Sequence, residues 1–130
     1  MDDNSLTYYG ALDAAGVAAA LAQADLFVWP AINEAFGMAL LEAQASGLPV
    51  VAGASGGVGD IVVPGVTGLL TPPGDVEAFT AAVRRLITDA AARAAMGPAA
   101  RQKVRREHDL PIVAARLASL IDGLGRRRAA

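Results

Sequence analysis

The sequence predicts an α/β fold in which a parallel sheet of about four short strands is flanked by helices. Short apolar runs alternate with helix-type segments over most of the chain, and this order is typical of βαβ units. Glycine or proline ends several of these segments. With 130 residues, of which 54% are apolar, the chain is long enough for one domain with a buried core.

The predicted strands and helices follow one another in a regular order. The four strands are apolar runs at 6–9, 26–29, 48–52 and 68–71. Three helices are expected at about 13–23, 36–46 and 75–88. Asp13 and Asp75 are the predicted N-caps of the first and third helices, and Gly47 ends the second. A helix therefore follows every strand except the third, which leads into a glycine-rich loop.

The remainder of the chain is predicted to be helical. One helix spans 89–96 and stops at Gly97, a basic helix runs from Pro98 to about Glu107, and a last helix spans about 111–124. Residues 126–130, which include three successive arginines, are expected to form a disordered basic tail. The single predicted domain therefore spans residues 1–125.

Composition excludes several classes of protein and site. The chain has no cysteine, which rules out disulfides and thiolate metal sites. Its acidic start, MDDNSLTYYG, lacks the order of a signal peptide, and no apolar run approaches the roughly 20 residues of a membrane span. The expected location is the cytoplasm.

Charge is divided unevenly along the chain. Residues 1–83 contain nine acids and no lysine, arginine or histidine, whereas all eleven basic residues lie between Arg84 and Arg128 together with four acids. The two parts thus carry net charges of −9 and +7. Any anion bound by the first part must be held by backbone amides, or by cations from outside this segment.

The glycine-rich loop GASGGVG, residues 53–59, raises the possibility of a dinucleotide site, because glycines after a strand can cradle a pyrophosphate. That site also needs a helix that starts at the glycines, and the following residues, DIVVPGVTG, allow at most one helical turn. The acid expected about 20 residues further on is missing as well, since Asp75 lies in a Pro-Gly turn. The glycines are instead expected to permit positive φ and to leave room for a ligand against bare backbone.

Two glutamates point to a better candidate site. Glu42 is the one charged residue of an otherwise apolar helix, so it is expected to face a cleft with polar groups. Glu34 lies eight positions earlier, roughly 12 Å along the axis if both were helical. The amides of Phe36, Gly37 and Met38 form a helix start between them, which suits an anion. The alternative is that Glu34 binds no ligand and is placed near the helix start because the helix dipole favours an acid there.

The surrounding residues resemble the Glu-x7-Glu signature of retaining glycosyltransferases with the GT-B fold, in the large group 1 family (family 4). The motif reads Pro30-x3-Glu34-x-Phe36-Gly37-x4-Glu42-Ala43-x2-Ser46-Gly47-Leu48-Pro49-Val50-Val51. The resemblance continues through Gly56-Gly57-x2-Asp60, Gly65-x-Thr67-Gly68 and Pro73-Gly74-Asp75. It implies a Rossmann-like sheet and half of a GT-B C-terminal domain.

The resemblance also implies a role for each matching residue. Glu34 would bond the hydroxyls of the donor sugar as the catalytic-site carboxylate, and the backbone at Phe36, Gly37 and Met38 would meet sugar and diphosphate. Glu42 would bond the ribose hydroxyls, and the loop at Gly56 and Gly57 would line the same cleft. The implied reaction transfers a sugar from a nucleotide diphosphate sugar to an acceptor with retention, without a metal or other cofactor.

Departures from the family pattern limit what this chain is expected to do alone. Ala31 replaces a common serine and Asp60 a common glutamate, which leaves the contacts at those positions open. The family's Gly-Arg and Lys-Gly elements, which neutralise the diphosphate, have no counterpart here, nor does the N-terminal acceptor domain. The chain is therefore expected to be a donor-binding part without activity of its own. The alternative is a non-catalytic nucleotide-binding or assembly module.

Other partners are predicted from charge and from the sheet edges. The basic cluster Arg101, Lys103, Arg105 and Arg106 is typical of a solvated face, and its functional alternative is contact with anionic lipid at the inner membrane face. Nucleic acid is not expected as a partner, because no aromatic residues are interleaved with the basic cluster. Strand 6–9 is expected either to pair beside strand 26–29 or to leave open edges that recruit a second copy as a homodimer.

Overall fold

The computed structural model describes the backbone of residues 6–129 and the side chains of residues 6–124. These residues form six helices and three strands. In chain order they are α1 (Ala14–Gln23), β1 (Phe27–Trp29), α2 (Met38–Ala45), β2 (Val50–Gly53), α3 (Val58–Ile61), β3 (Gly68–Thr71), α4 (Val76–Thr88), α5 (Ala90–Glu107) and α6 (Leu110–Ala129). Between residues 6 and 129, no helix has the length and apolar content needed to cross a bilayer.

The three strands form one parallel sheet in the order β1-β2-β3. Val51 on the central strand is in register with Val28 on one side and Leu69 on the other. Successive side chains of β2 point to opposite faces, so Val50 and Ala52 join one apolar cluster and Val51 joins another. The first cluster includes side chains of α2, α3 and α5, and the second includes side chains of α4 and α5. The sheet is therefore the middle of three layers, as the predicted α/β class requires.

The predicted strand at residues 6–9 is wrong. This segment has no regular structure, and the side chains of Leu6, Tyr8 and Tyr9 are exposed. The segment does not pair with β1, although β1 lies at the edge of the sheet and bonds only to β2 within the described residues. The expected shift of the segment to lie beside β1 is therefore also wrong, and the sheet has three strands rather than about four.

The local signals at helix ends are confirmed. The Asp13 side chain accepts a hydrogen bond from the Gly16 amide at 2.8 Å, and the Asp75 side chain accepts one from the Ala78 amide at 2.9 Å. Gly47 follows α2 with a positive φ of 83°. These caps begin α1 and α4 and end α2 at the predicted positions.

The predicted helix break at Gly97 is wrong, because α5 continues from Ala90 through Gly97 and Pro98 to Glu107. Gly97 is buried against the turn that follows α2, and a Cβ placed there would lie 2.3 Å from the Gly47 carbonyl oxygen. The absent side chain thus allows two backbones to approach, and this packing outweighs the poor helix propensities of glycine and proline.

The last helix, α6, starts at Leu110 and runs to Ala129, so its backbone includes most of the predicted tail. The side chains beyond Leu124 lie outside the described residues. The disorder expected for residues 126–130 stays a prediction.

Candidate functional site

The loop that follows β1 is organised by the carboxylate of Glu34. Its Oε1 accepts a hydrogen bond from the Gly37 amide at 3.0 Å, and its Oε2 accepts one from the Trp29 indole nitrogen at 3.2 Å. The Glu34 carboxylate therefore bonds the backbone at the start of α2. This contact agrees with the alternative in which the helix dipole favours an acid at that position. A carboxylate offers about four acceptor positions, so roughly two remain for a further donor. Glu34 is half-buried, which leaves part of it accessible.

The glycine-rich loop after β2 packs directly on this Glu34 loop. A Cβ at Gly56 would lie 1.9 Å from the Glu34 carbonyl oxygen, and one at Gly53 would lie 2.2 Å from the Ala31 carbonyl oxygen. The Gly57 amide donates a hydrogen bond to the Ala35 carbonyl at 3.1 Å. The space beside these glycines, which the sequence predicts to be open to a ligand, is thus filled by the chain's own backbone.

Ser55 joins the same two loops and was missed by the sequence analysis. Its hydroxyl donates to the Ile32 carbonyl at 2.7 Å and accepts from the Glu34 amide at 3.3 Å. Ser55 is the one residue with a polar side chain in the stretch 53–59, GASGGVG. That isolated hydroxyl among glycines was the available signal. The Ser55 hydroxyl fixes the backbone of the loop that carries Glu34.

The start of α2 presents backbone groups beside Glu34. Gly37 is buried with φ of 94°, a left-handed conformation that favours glycine. Phe36 and Met38 have exposed side chains on either side of it. Within the described residues, the Gly37 amide is bonded to Glu34, and the amides of Phe36 and Met38 have no acceptor. The helix start therefore keeps donors for an anion, although one of its three predicted amides is already used.

Glu42 lies one turn further along α2 and opens onto a different groove from Glu34. The groove has a volume of about 310 Å³ and is lined by Glu42, Ala45 and Ser46 of α2 and by Ala14, Val17, Ala18 and Leu21 of α1. Glu42 is exposed, and its carboxylate accepts no hydrogen bond from the described residues. Glu42 thus opens onto a groove, but the polar groups expected beside it are missing from the described lining except for Ser46. The axial spacing expected for a helical pair does not apply, because Glu34 precedes the helix.

No basic side chain among the described residues donates a hydrogen bond to Glu34, to Glu42 or to the loop between them. Arg93 donates to the carbonyls of Leu86 and Ile87, at the end of α4. Arg106 donates to Glu107. The uneven charge of the sequence therefore persists in the fold, where the candidate site is acidic and its donors are backbone amides.

Lys103 departs from the predicted solvated basic face. It is only 7% exposed, and its Nζ donates to the Asp60 carbonyl at 2.8 Å and to Glu107 Oε2 at 2.7 Å. The hydrogen bond from Lys103, with a second from Arg106, holds the pKa of Glu107 below its ordinary value of 4.5. Because Asp60 lies on α3, Lys103 ties α5 to the short helix that follows the glycine loop. Arg101, Arg105 and Arg106 are exposed, as expected.

The profile of the family described as "Glycosyl transferases group 1" matches residues 3–103, which is most of the chain. The chain belongs to this family. Among curated members, a sulfoquinovosyl transferase of Arabidopsis thaliana is 40% identical over 102 residues, and the match covers 76% of the chain and 20% of the plant protein. The resemblance found in the Glu-x7-Glu motif is thereby confirmed.

Two solved structures share the fold of this chain. Sucrose-phosphate synthase from Thermosynechococcus elongatus matches with a TM-score of 0.86 and 32% identity, covering 96% of the chain and 31% of that protein. The Anabaena protein HepE in complex with UDP-glucose matches with a TM-score of 0.74 and 27% identity, covering 83% of the chain and 30% of HepE. The chain thus spans a fifth to a third of the length of these relatives, and its three strands and flanking helices form part of a GT-B domain.

Proposed function

We propose that this chain is the donor-binding part of a retaining glycosyltransferase that transfers a sugar from a nucleotide diphosphate sugar to a glycan, lipid or small-molecule acceptor. The observation that carries the proposal is the Glu34 carboxylate, which is fixed by Gly37 and Trp29 and still has acceptor capacity beside an open helix start. Such a carboxylate can accept hydrogen bonds from sugar hydroxyls. The neighbouring amides of Phe36 and Met38 can donate to a phosphate.

The likeness to HepE, whose structure contains UDP-glucose, supports a nucleotide sugar as the ligand class. Glu42 is proposed to bond the ribose, because an exposed carboxylate can accept two hydrogen bonds from a vicinal diol. Gly56 and Gly57 are proposed to act on the donor through the backbone of the Glu34 loop, against which they pack. Transfer is expected to need no metal or other cofactor.

The chain alone is expected to bind the diphosphate of the donor weakly. Two phosphates beside Glu34 and Glu42 need cationic partners. Arg93, Lys103 and Arg106 bond to other parts of the fold, and no described basic side chain donates a hydrogen bond to Glu34 or Glu42. We therefore expect weak binding of nucleotide sugars and no measurable transfer by the 130-residue protein. Robust turnover by the purified chain with any donor would overturn this expectation.

The test is a titration of the isotope-labelled 130-residue chain with UDP-glucose, GDP-mannose and ADP-glucose, followed by amide NMR. Shifts are expected at Phe36, Gly37 and Met38 and near Glu42. Glu42→Gln should weaken binding by about 1–3 kcal/mol, since it removes the charge from the proposed contact with the ribose. Glu77→Gln is the matched control, because Glu77 is an exposed acid on α4, and it should leave the affinity unchanged.

The outcomes separate the two candidate functions. Equal affinity for wild type and Glu42→Gln would remove the assignment of Glu42. Of the alternative, a non-catalytic nucleotide-binding or assembly module, absence of shifts with every donor would favour the assembly form. Shifts confined to residues outside 34–42 would place the ligand elsewhere and contradict the proposed site.

A cytoplasmic location with contact at the inner membrane face stays part of the proposal. The exposed Arg101, Arg105 and Arg106 provide positive charge that anionic lipid headgroups attract. Co-sedimentation with anionic vesicles is expected to decrease in an Arg101→Ala/Arg105→Ala variant. Equal co-sedimentation of the variant and the wild type would contradict a role for these arginines.

A further inference from the structure

The indole of Trp29 holds one of the two oxygens of the Glu34 carboxylate. Its Nε1–H donates to Glu34 Oε2 at 3.2 Å, and the Gly37 amide donates to Oε1 at 3.0 Å. A carboxylate held by one donor can still turn about its terminal torsion, because that torsion has only a broad preference. Two donors on different oxygens fix the plane of the group. Trp29 therefore decides how the Glu34 carboxylate is oriented.

Trp29 is itself held in place by the sheet. It is the last residue of β1 and is in register with Ala52 of the central strand, and its carbonyl accepts a hydrogen bond from the Ala31 amide at 2.7 Å. Its ring stacks with the ring of Phe27, with 6.5 Å between the ring centroids and 19° between the planes. Phe27 in turn packs against the apolar cluster on one face of the sheet. The indole thus connects the loop carboxylate to the core of the domain.

Packing in the core does not account for a tryptophan at position 29. Within the described residues, Trp29 belongs to neither of the two apolar clusters, although Phe27 packs against one of them. The indole nitrogen is a donor only, so it can serve an acceptor such as a carboxylate and cannot replace one. A phenylalanine would stack with Phe27 without this donor. The contact that distinguishes tryptophan here is therefore the hydrogen bond to Glu34.

We propose that Trp29 is a positioning residue, which orients the Glu34 carboxylate toward the hydroxyls of the donor sugar. The inference rests on the proposed function of Glu34 and extends it to a residue that acts through Glu34. It predicts an effect on one part of the donor. Loss of the indole N–H should weaken the contact with the sugar and leave the contacts with the nucleotide unchanged, because those are proposed for the start of α2 and for Glu42, to which Trp29 donates no hydrogen bond.

The experiment is an NMR titration of the full 130-residue chain and its Trp29→Phe variant with UDP-glucose and with UDP, repeated with GDP-mannose and GDP and with ADP-glucose and ADP. Trp29→Phe should weaken binding of the nucleotide sugar about threefold to tenfold, the range of one ordinary hydrogen bond, and leave binding of the nucleoside diphosphate unchanged. A residue with only a structural role would weaken both. Val28→Thr is the matched control, because Val28 lies on the opposite face of β1, and it should change neither affinity.

The contact can also be tested without a ligand. Trp29 is the one tryptophan of the chain, so an isotope-labelled sample gives a single indole N–H signal. Glu34→Ala removes the acceptor and should move this signal toward that of an indole in water. Val28→Thr should leave the signal in place. An indole signal that does not respond to Glu34→Ala would contradict the hydrogen bond and the proposal with it.

Failure of this inference and failure of the proposed function give different results. A wild type that binds none of the three nucleotide sugars would overturn both. A wild type that binds one of them, together with a Trp29→Phe variant that binds it equally well, would overturn the positioning role alone. The same holds if the variant loses affinity for sugar nucleotide and nucleoside diphosphate by one factor. Folding is checked by circular dichroism, and if Trp29→Phe fails to fold, Trp29→Leu removes the same N–H and is judged by the same results.

Discussion

The two longest helices, α5 and α6, follow each other in sequence but differ in what their residues bury. Helix α5 is rich in alanine and arginine, yet it buries Met96, Gly97, Ala100, Lys103 and Val104. Helix α6 has more leucine and isoleucine, yet its residues from Leu110 to Leu124 are all exposed. The difference shows that apolar residues alone do not bury a helix. A helix is buried only where the fold provides a surface that fits it.

Helix α5 is buried because its backbone packs closely against the turn that follows α2. Gly97 packs on Gly47, which ends α2, and the neighbouring residues of α5 then reach the apolar cluster around β2. A side chain at Gly97 would hold the two segments apart, whereas a Cβ at Gly47 would lie 4.0 Å from the Gly97 carbonyl oxygen, an ordinary contact. Helix α6 has a glycine too, but nothing lies within 4 Å of a Cβ placed at Gly123. The same residue type therefore has a packing role in one helix and none in the other.

The largest predicted effect comes from the same substitution in both helices. Gly97→Ala should lower the free energy of unfolding by about 2–3 kcal/mol, because the added Cβ would press on the Gly47 carbonyl and force the backbones apart. Gly123→Ala should raise it by about 0.5–1 kcal/mol, through helix propensity alone. Urea unfolding of both variants measures the difference. Equal effects of the two changes would show that α5 does not pack as described.

A smaller effect is expected from the buried lysine of α5. Lys103→Ala removes the hydrogen bonds to the Asp60 carbonyl and to Glu107, and should cost about 1–2 kcal/mol of unfolding free energy. Arg101→Ala on the exposed face should stay within about 0.5 kcal/mol of the wild type. If the two variants are equally stable, the contact between α5 and α3 contributes nothing measurable.

The smallest effect is a dependence of stability on pH. The pKa of Glu107 is lowered by Lys103 and Arg106, so its contribution is present above the ordinary value of 4.5 and is lost as pH falls through the folded-state pKa. The contribution should be below about 1 kcal/mol, since the pair is partly exposed. Glu107→Gln should flatten the acid limb of the stability curve, as measured by urea unfolding between neutral and acidic pH. In a Lys103→Ala background, Glu107→Gln should have a smaller effect, and an undiminished one would contradict the coupling.

Features with a local signal in the sequence were predicted most accurately. Asp13 and Asp75 cap their helices through an amide three positions away, and Gly47 ends α2 with a positive φ. The three observed strands lie within two residues of their predicted bounds. The Glu-x7-Glu motif also identified the family without the structure. The caps depend on a few neighbouring residues, and the family motif depends on residue types at fixed spacings, so both can be read from the chain itself.

Only the tertiary structure decided which segments have a partner. The run at 6–9 does not pair with the open edge of β1 and is not a strand, whereas α5 passes through Gly97 and Pro98 because Gly47 lies against it. Ser55 and Glu34 are 21 positions apart, so their hydrogen bond has no signature in local sequence. Sequence alone thus determines caps and apolar periodicity, because these act over one or two turns, and it determines the family, because the order and spacing of the motif residues can be read directly. The site's rigidity, the burial of α5 and the exposure of α6 depend on long-range packing, which exists only after the chain has folded.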